Sequence, residues 1–256
     1  MSLAVRLFGI CCVFSFAPLH ARTSPVVAAA SDLQFALEEV AEAFERETGD
    51  RLRLSFGSTG NFSRQIREGA PFELFLAADE QFVLDLAEDG FTRDRGTLYA
   101  LGRVALMAPH GSTLEVDECL NGLSAALETG ELRRFAIANP EHAPYGMRAR
   151  EALQHRGLWE QLQSVMVLGE NVSQAAQFAL SGSTQGGIIA WSLALAPAIS
   201  PRGDYTLIPE DWHTPLRQRM ALLEGAGPVA EEFYDFIQSP AAREIMKRYG
   251  FTAPSE

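Results

Sequence analysis

Short apolar runs alternate with amphipathic helical stretches along the first third of this chain, and that alternation limits what it can fold into. Residues 26–30, Val-Val-Ala-Ala-Ala, open with two β-branched side chains and suit a strand buried on both faces. In residues 35–47, Leu37, Val40, Ala41 and Phe44 recur at helical spacing on one face, and Gly49 ends the helix. The pattern repeats with a strand at 52–56, a helix at 61–68 (Phe62, Gln65 and Ile66 near one side), a strand at 72–77 and a helix at 81–89 closed by Gly90. Helices between successive strands predict an α/β fold with a largely parallel sheet.

The remainder continues in the same style. Strands are expected at 135–138, 164–168 and 187–191, with helices at 147–154, 173–180, 229–237 and 241–249. Residues 99–108 form a longer apolar stretch ending at Pro109, suited to crossing between two lobes, and residues 211–223 are suited to crossing back. There is no tandem repeat and no low-complexity linker. The economical reading is two α/β lobes joined by two crossing segments, with a ligand cleft between them. Lobe one takes residues 25–104 plus 218–256, and lobe two takes 105–217.

A formal net charge of −12 over 256 residues argues against nucleic acid and anionic membrane surfaces, both of which need a basic face. It does not argue against a small anion, because local donors outweigh a distant field that salt screens. Residues 1–21 read as a signal peptide, with Arg6 as the charged start, an apolar run over 7–19 and cleavage near Ala21. The alternative is an uncleaved anchor. Ile10 before Cys11 disfavours lipoprotein processing, which needs a small residue there. Loss of Cys11 and Cys12 with the signal leaves Cys119 alone, so the mature chain forms no internal disulfide. No zinc-ligand spacing occurs.

Four turns carry the chemistry: Ala30-Ser31-Asp32, Gly57-Ser58-Thr59-Gly60, Pro144-Tyr145-Gly146 and Asn171-Val172-Ser173. Each follows an expected strand or loop and precedes an expected helix, where unpaired backbone N–H groups and the helix dipole attract anions. Two come from each lobe. Each also has a plain reading, since Ser, Thr and Asp are preferred N-caps and glycines make turns. Val172 has no side-chain donor, so any contact must come from its backbone N–H. The glycine-serine turn lacks the ending of a P-loop and the pattern of a nucleophile elbow. Gly182-Ser183-Thr184 and Gly186-Gly187 read as turns, and His142 beside Glu141 reads as structural. A carboxylate beside a dianion is repulsive, so Asp32 is expected to point away, cap the helix or accept from neighbouring donors.

The chain resembles the periplasmic molybdate-binding proteins of bacterial ABC transporters. The resemblance rests on Ala28-Ala29-Ala30-Ser31, Ser55-Phe56-Gly57-Ser58-Thr59-Gly60, Gly69-Ala70-Pro71 with Phe75-Leu76-Ala77-Ala78-Asp79, residues 139–146 (Asn-Pro-Glu-His-Ala-Pro-Tyr-Gly), and the tail Arg248-Tyr249-Gly250-Phe251. These stretches run through nearly the whole mature chain. The resemblance implies a type II periplasmic-binding-protein fold closing on one tetrahedral oxyanion, molybdate or tungstate. Ser31, Ser58 and Thr59 would donate from lobe one, and Tyr145 and Val172 from lobe two. Asp32, Asn171 and Ser192 form a second tier. Molybdenum would be held as the oxyanion, with no direct cation ligands. Some family members have a ligand-contacting tyrosine where Ala190 stands here, followed by Trp191 and Ser192, and the Tyr145 phenol is a candidate replacement.

The resemblance also implies a periplasmic, non-enzymatic, cofactor-free protein that hands its ligand to a membrane permease. It is expected to be a monomer and to bind no nucleic acid. Two alternatives stay open. One is a different anion on the same fold, such as sulfate, phosphate or an organic anion. The other is a hydrolase or transferase using the Gly57-Ser58-Thr59 turn, for which the sequence offers no convincing base.

Overall fold

The computed structural model describes residues 23–254, and the expected signal segment 1–21 lies outside them. The β-branched start and small-residue end of Val26–Ala30 form strand β1, buried from Val27 onward. Strands β2 (Arg53–Gly57) and β3 (Leu74–Ala77) flank it in parallel, with helices α1 (Gln34–Thr48) and α2 (Thr59–Arg67) as the connections. Helix α3 (Glu80–Glu88) follows β3, and β4 (Thr97–Gly102) ends the first run through this lobe.

The second sheet starts at β5 (Val104–Pro109). Helix α4 (Asn121–Glu128), β6 (Phe135–Ala138), α5 (Pro144–His155), α6 (Trp159–Leu162), β7 (Met166–Gly169), α7 (Val172–Leu180), β8 (Gly186–Ala190), α8 (Trp191–Leu195) and β9 (Gly203–Leu207) complete it. The chain then returns through β10 (Leu216–Leu222) and closes with α9 (Pro228–Ile237) and α10 (Pro240–Arg248).

Both sheets have five strands, in the orders β2-β1-β3-β10-β4 and β7-β6-β8-β5-β9. In each, four strands point one way and one runs against them: β10 pairs antiparallel with β3 and β4, and β5 with β8 and β9. The apolar stretch 99–108 therefore passes from one sheet to the other, as a crossing segment should, but as two strands. It divides at Gly102-Arg103, and its halves serve different sheets. The return stretch contains β10, which sits between β3 and β4.

Lobe one packs α1, α9 and α10 on one face of its sheet, where Phe44 meets Phe233 edge to face at 5.2 Å. Phe62, Ile66, Val83 and Leu86 fill the other face. Lobe two has its own core, and that cluster also takes in Ala30 and Ala78 from lobe one. The lobes are thus in contact, with the carboxyl ends of the parallel strands facing each other across the cleft. Ala30 pairs with Gly57 in one sheet and Ala138 with Gly169 in the other, so the four turns leave their sheets in two adjacent pairs.

Candidate functional site

Ser31, Ser58, Thr59, Tyr145 and Val172 meet around one cavity, together with Asp32, Ala30, Gly57, Ala78, Ala143 and Pro144. The cavity is small, with about 10 Å³ open to the centre of a water-sized sphere. That is roughly what one water needs, so the closed cavity has no room for a metabolite. A larger groove lies on lobe one between β4, α9 and α10, away from the strand ends and the four turns.

Three helices aim their first turns at the cavity. Thr59, Pro144 and Val172 are the opening residues of α2, α5 and α7, whose first N–H groups have no intrahelical acceptor. Pro144 at the start of α5 loses nothing, because its missing N–H belongs to that orphan set. Helix α5 sits hard against the end of β6, since a Cβ on Gly146 would fall 2.2 Å from the Ala138 carbonyl oxygen. Asn171 Oδ1 caps α7 by accepting the Gln174 N–H at 3.0 Å. It positions the turn and is not on the cavity wall. Ser31 opens a single 3-10 turn before α1, without a side-chain cap.

The three hydroxyls are oriented by what they accept. Ser31 Oγ accepts the Ser173 N–H at 3.2 Å, and Thr59 Oγ1 accepts the Ala78 N–H at 3.1 Å. Ser58 Oγ accepts the Asn61 N–H at 3.4 Å as the N-cap of α2, and it also lies 2.9 Å from His142 Nδ1. Each of these hydroxyls accepts one backbone N–H, which fixes its orientation, and the Ser31 and Thr59 protons remain to be given. The wall is therefore built of donors.

Asp32 is the exception. It is 1 % exposed, and its Oδ2 accepts the Tyr145 O–H at 2.9 Å and a Gln218 side-chain N–H at 2.6 Å. Tyr99 donates in turn to Gln218 Oε1 at 2.7 Å. Burial raises the Asp32 pKa to about 6, and the Gln218 and Tyr145 donors pull it only partly back. The same burial, reinforced by the Asp32 charge, keeps the Tyr145 phenol well above its ordinary value. Asp32 thus accepts from neighbouring donors and does not cap the helix. The Tyr145 phenol is committed to Asp32 Oδ2, and strand β10 brings Gln218 beside both groups. Ser192 Oγ donates to the Asp32 carbonyl at 2.8 Å and lies off the wall.

Around the cavity the lobes are tied by bonds that no sequence pattern announced. Gly60 N–H donates to the His142 carbonyl at 2.9 Å, and Ser173 Oγ donates to the Ser31 carbonyl at 2.7 Å. Asn61 reaches Glu170, and the nearly buried Arg148 of lobe two pairs with Asp79 of lobe one. His142, Ser173, Arg148 and Gln218 sit far from their partners in the chain; His142 and Ser173 lie in turns the sequence singled out, and Arg148 and Gln218 carried no signal. Among the described residues no cluster of His, Cys, Asp and Glu could hold a metal ion, and no helix is long and apolar enough to cross a membrane.

Two five-stranded α/β lobes that close a donor-lined cavity between their strand ends define a two-lobed solute-binding protein. The profile of the bacterial extracellular solute-binding proteins matches residues 25–252, and the chain belongs to that family. It is 34% identical over 229 residues to the molybdate-binding protein ModA of Azotobacter vinelandii, covering 88% of each chain. It is also 34% identical over 237 residues to ModA of Rhodobacter capsulatus, covering 91% of this chain and 90% of that one. The solved structure of the Azotobacter vinelandii periplasmic molybdate-binding protein superimposes with a TM-score of 0.82 at 28% identity, over 91% of this chain and all of that one.

Proposed function

We propose that this protein is a periplasmic receptor that captures molybdate or tungstate between its lobes and delivers it to an ABC permease. The observation that carries the reading is the convergence of the Ser31, Ser58 and Thr59 hydroxyls, each oriented by accepting a backbone N–H, with the first turns of α2, α5 and α7 on one cavity. A fully ionised tetrahedral oxyanion can only accept hydrogen bonds, and this wall offers hydroxyl protons plus the first-turn N–H groups at Tyr145 and Val172. Hydrogen bonds to a charged acceptor are worth about 1.5–3 kcal/mol each, and several of them offset the desolvation of one small anion. The two relatives and the solved structure are molybdate-binding proteins, which supports the choice of ligand. Selection against sulfate falls to cavity size, because both anions accept from the same donors.

Closure follows from the same contacts. With the anion bridging lobe one and lobe two, bonds such as Gly60 to His142 hold the closed form, whose outer surface is what a permease would read. The protein acts as a monomer with no cofactor and no catalytic step. The Ser58 to His142 contact does resemble a nucleophile and its base. However, Glu170 stands 3.7 Å from His142 Nε2 and is more than half exposed, and the pair spans two lobes. A base so weakly oriented and assembled only on closure favours binding over turnover.

Calorimetric titration of residues 22–256 with molybdate, tungstate, sulfate and phosphate tests the reading. Tight one-to-one binding of the first two, with little heat from the others, is the expected result. Tight binding of sulfate or phosphate alone would move the substrate. Hydrolysis of a generic ester or phosphate monoester, lost in Ser58→Ala, would replace the reading with an enzyme.

A further inference from the structure

Asp32 is the charged residue on a wall that carries no Lys or Arg among the described residues, and its two carboxyl oxygens are treated unequally. Oδ2 takes both the Tyr145 and the Gln218 donors. Oδ1 is shut away from solvent and has no hydrogen-bond partner. The backbone N–H groups of Asp32 and Leu33 also face the carboxyl and favour its ionised form, less than burial opposes it, and neither is in bonding geometry to Oδ1. A buried acceptor without a donor is disfavoured, and an ionised one more so.

Nothing packed around Asp32 supplies a compensating positive charge. Tyr145 from α5 and Tyr99 from β4 face it as phenols kept neutral by burial. Gln218 from β10 is uncharged, and Ser192 from α8 contacts the backbone carbonyl only. An oxyanion in the cavity would then share a dry wall with a carboxylate. Two acidic groups so placed do not both stay ionised, and one of them keeps a proton. With Oδ2 occupied by two donors, that proton belongs on Oδ1, where it turns an orphan acceptor into one more donor.

We propose that the site captures its oxyanion together with one proton, carried on Asp32 Oδ1 and donated to an oxygen of the anion. This inference rests on the reading of the cavity as an oxyanion site. The step makes a hydrogen bond and breaks no covalent bond. The proton is already present when Asp32 is neutral and comes from solvent when it is ionised. With the carboxyl of the free protein titrating at about 6, capture near neutral pH draws a proton from the buffer. Affinity is therefore level at low pH and falls as pH rises through that value, by up to about tenfold per pH unit. Periplasmic acidification would strengthen capture without any change in the anion.

Asp32→Asn is the informative variant. The Tyr145 and Gln218 donors require the amide oxygen at the Oδ2 position, which puts the amide N–H₂ where Oδ1 stands. The variant thus copies the protonated acid at every pH. Sodium molybdate is titrated into wild type and D32N between about pH 6 and 8.5, in buffers of contrasting ionisation enthalpy. The expected result is a wild-type affinity that drops about tenfold per unit at the upper end with uptake of close to one proton, and a D32N affinity that is tight and level with no uptake. Should D32N fail to fold, the wild-type buffer dependence alone reads the proton. Molybdate binding by wild type with level affinity and no proton uptake overturns the inference and leaves the molybdate reading standing. A slope that persists unchanged in D32N also overturns it. Absence of molybdate binding in both proteins at every pH defeats the molybdate reading itself, and the inference with it.

Discussion

Asp32 shows how one side chain carries both a stability term and a binding term. Folding moves its pKa from 3.8 to about 6, so the folded chain holds this proton more tightly than the unfolded chain. Below the ordinary value the acid is neutral in both states and the shift costs nothing. As pH rises through about 6 the buried carboxylate ionises and its penalty, on the order of 3 kcal/mol, is fully developed. Ligand-free D32N is therefore expected to be more stable than wild type near pH 8, with the gap closing toward pH 4, in denaturant melts at both values. A gap that does not change with pH would show that the carboxyl is not the cause. Sequence alone singled out Asp32, and it also singled out Ser31, Ser58, Thr59, Tyr145 and Val172, because turn chemistry is local. It did not show that Gln218 and Tyr99 would complete the Asp32 network, since those bonds join residues more than a hundred positions apart or across strands.

Among the elements, the helices that open onto the cavity do so through short, tightly seated first turns. Gly60 is the seat that faces the other lobe, because a Cβ there would come within 2.6 Å of the His142 carbonyl oxygen across the cleft. Gly60→Ala is expected to leave lobe one folded and α2 intact while weakening anion affinity at least tenfold, since the backbone it would strike cannot swing aside as a side chain does. Matched circular dichroism with weakened calorimetric binding would bear this out, and unchanged affinity would mean that the closed form tolerates a wider gap. The α/β rhythm was legible because each helix has an apolar stripe and each buried strand a short apolar run. Helix α4 was not. Its N-cap position holds Leu120 in a left-handed conformation, φ 56°, and Asp117 supplies the capping acceptor to Asn121 and Gly122 from outside the usual place. Residues 99–108 cross between the lobes as expected, but the strand boundary inside them was hidden for a different reason. A continuous apolar run records burial, and two strands buried in two different sheets read as one.

The whole molecule is held closed by contacts between lobes as well as by its cavity. Arg148 is 7 % exposed and reaches across to Asp79, while its other branch pairs with Glu151 of its own helix. Asp79 Oδ1 separately caps α3 through the Gln81 N–H at 3.0 Å. Asp79→Asn keeps that cap but sets an amide N–H₂ where Oδ2 stood, so Arg148 loses both the charge and the acceptor it faces. It is expected to weaken anion binding about tenfold and to enlarge the ligand-free radius of gyration by small-angle scattering, because an ion pair this buried loses more than a screened surface pair when one partner is neutralised. An unchanged affinity and radius would assign closure to the anion and the hydrogen bonds alone. Read alone, the sequence settles the α/β class, the two-lobe plan and the turns that can offer donors, because periodicity, capping and turn preferences act over a few residues. Tertiary structure decides which lone pairs those donors have already filled, which carboxyl oxygen is left without a partner, and which residues lock one lobe to the other. Those outcomes depend on positions brought together only when both sheets have formed and the cleft has shut.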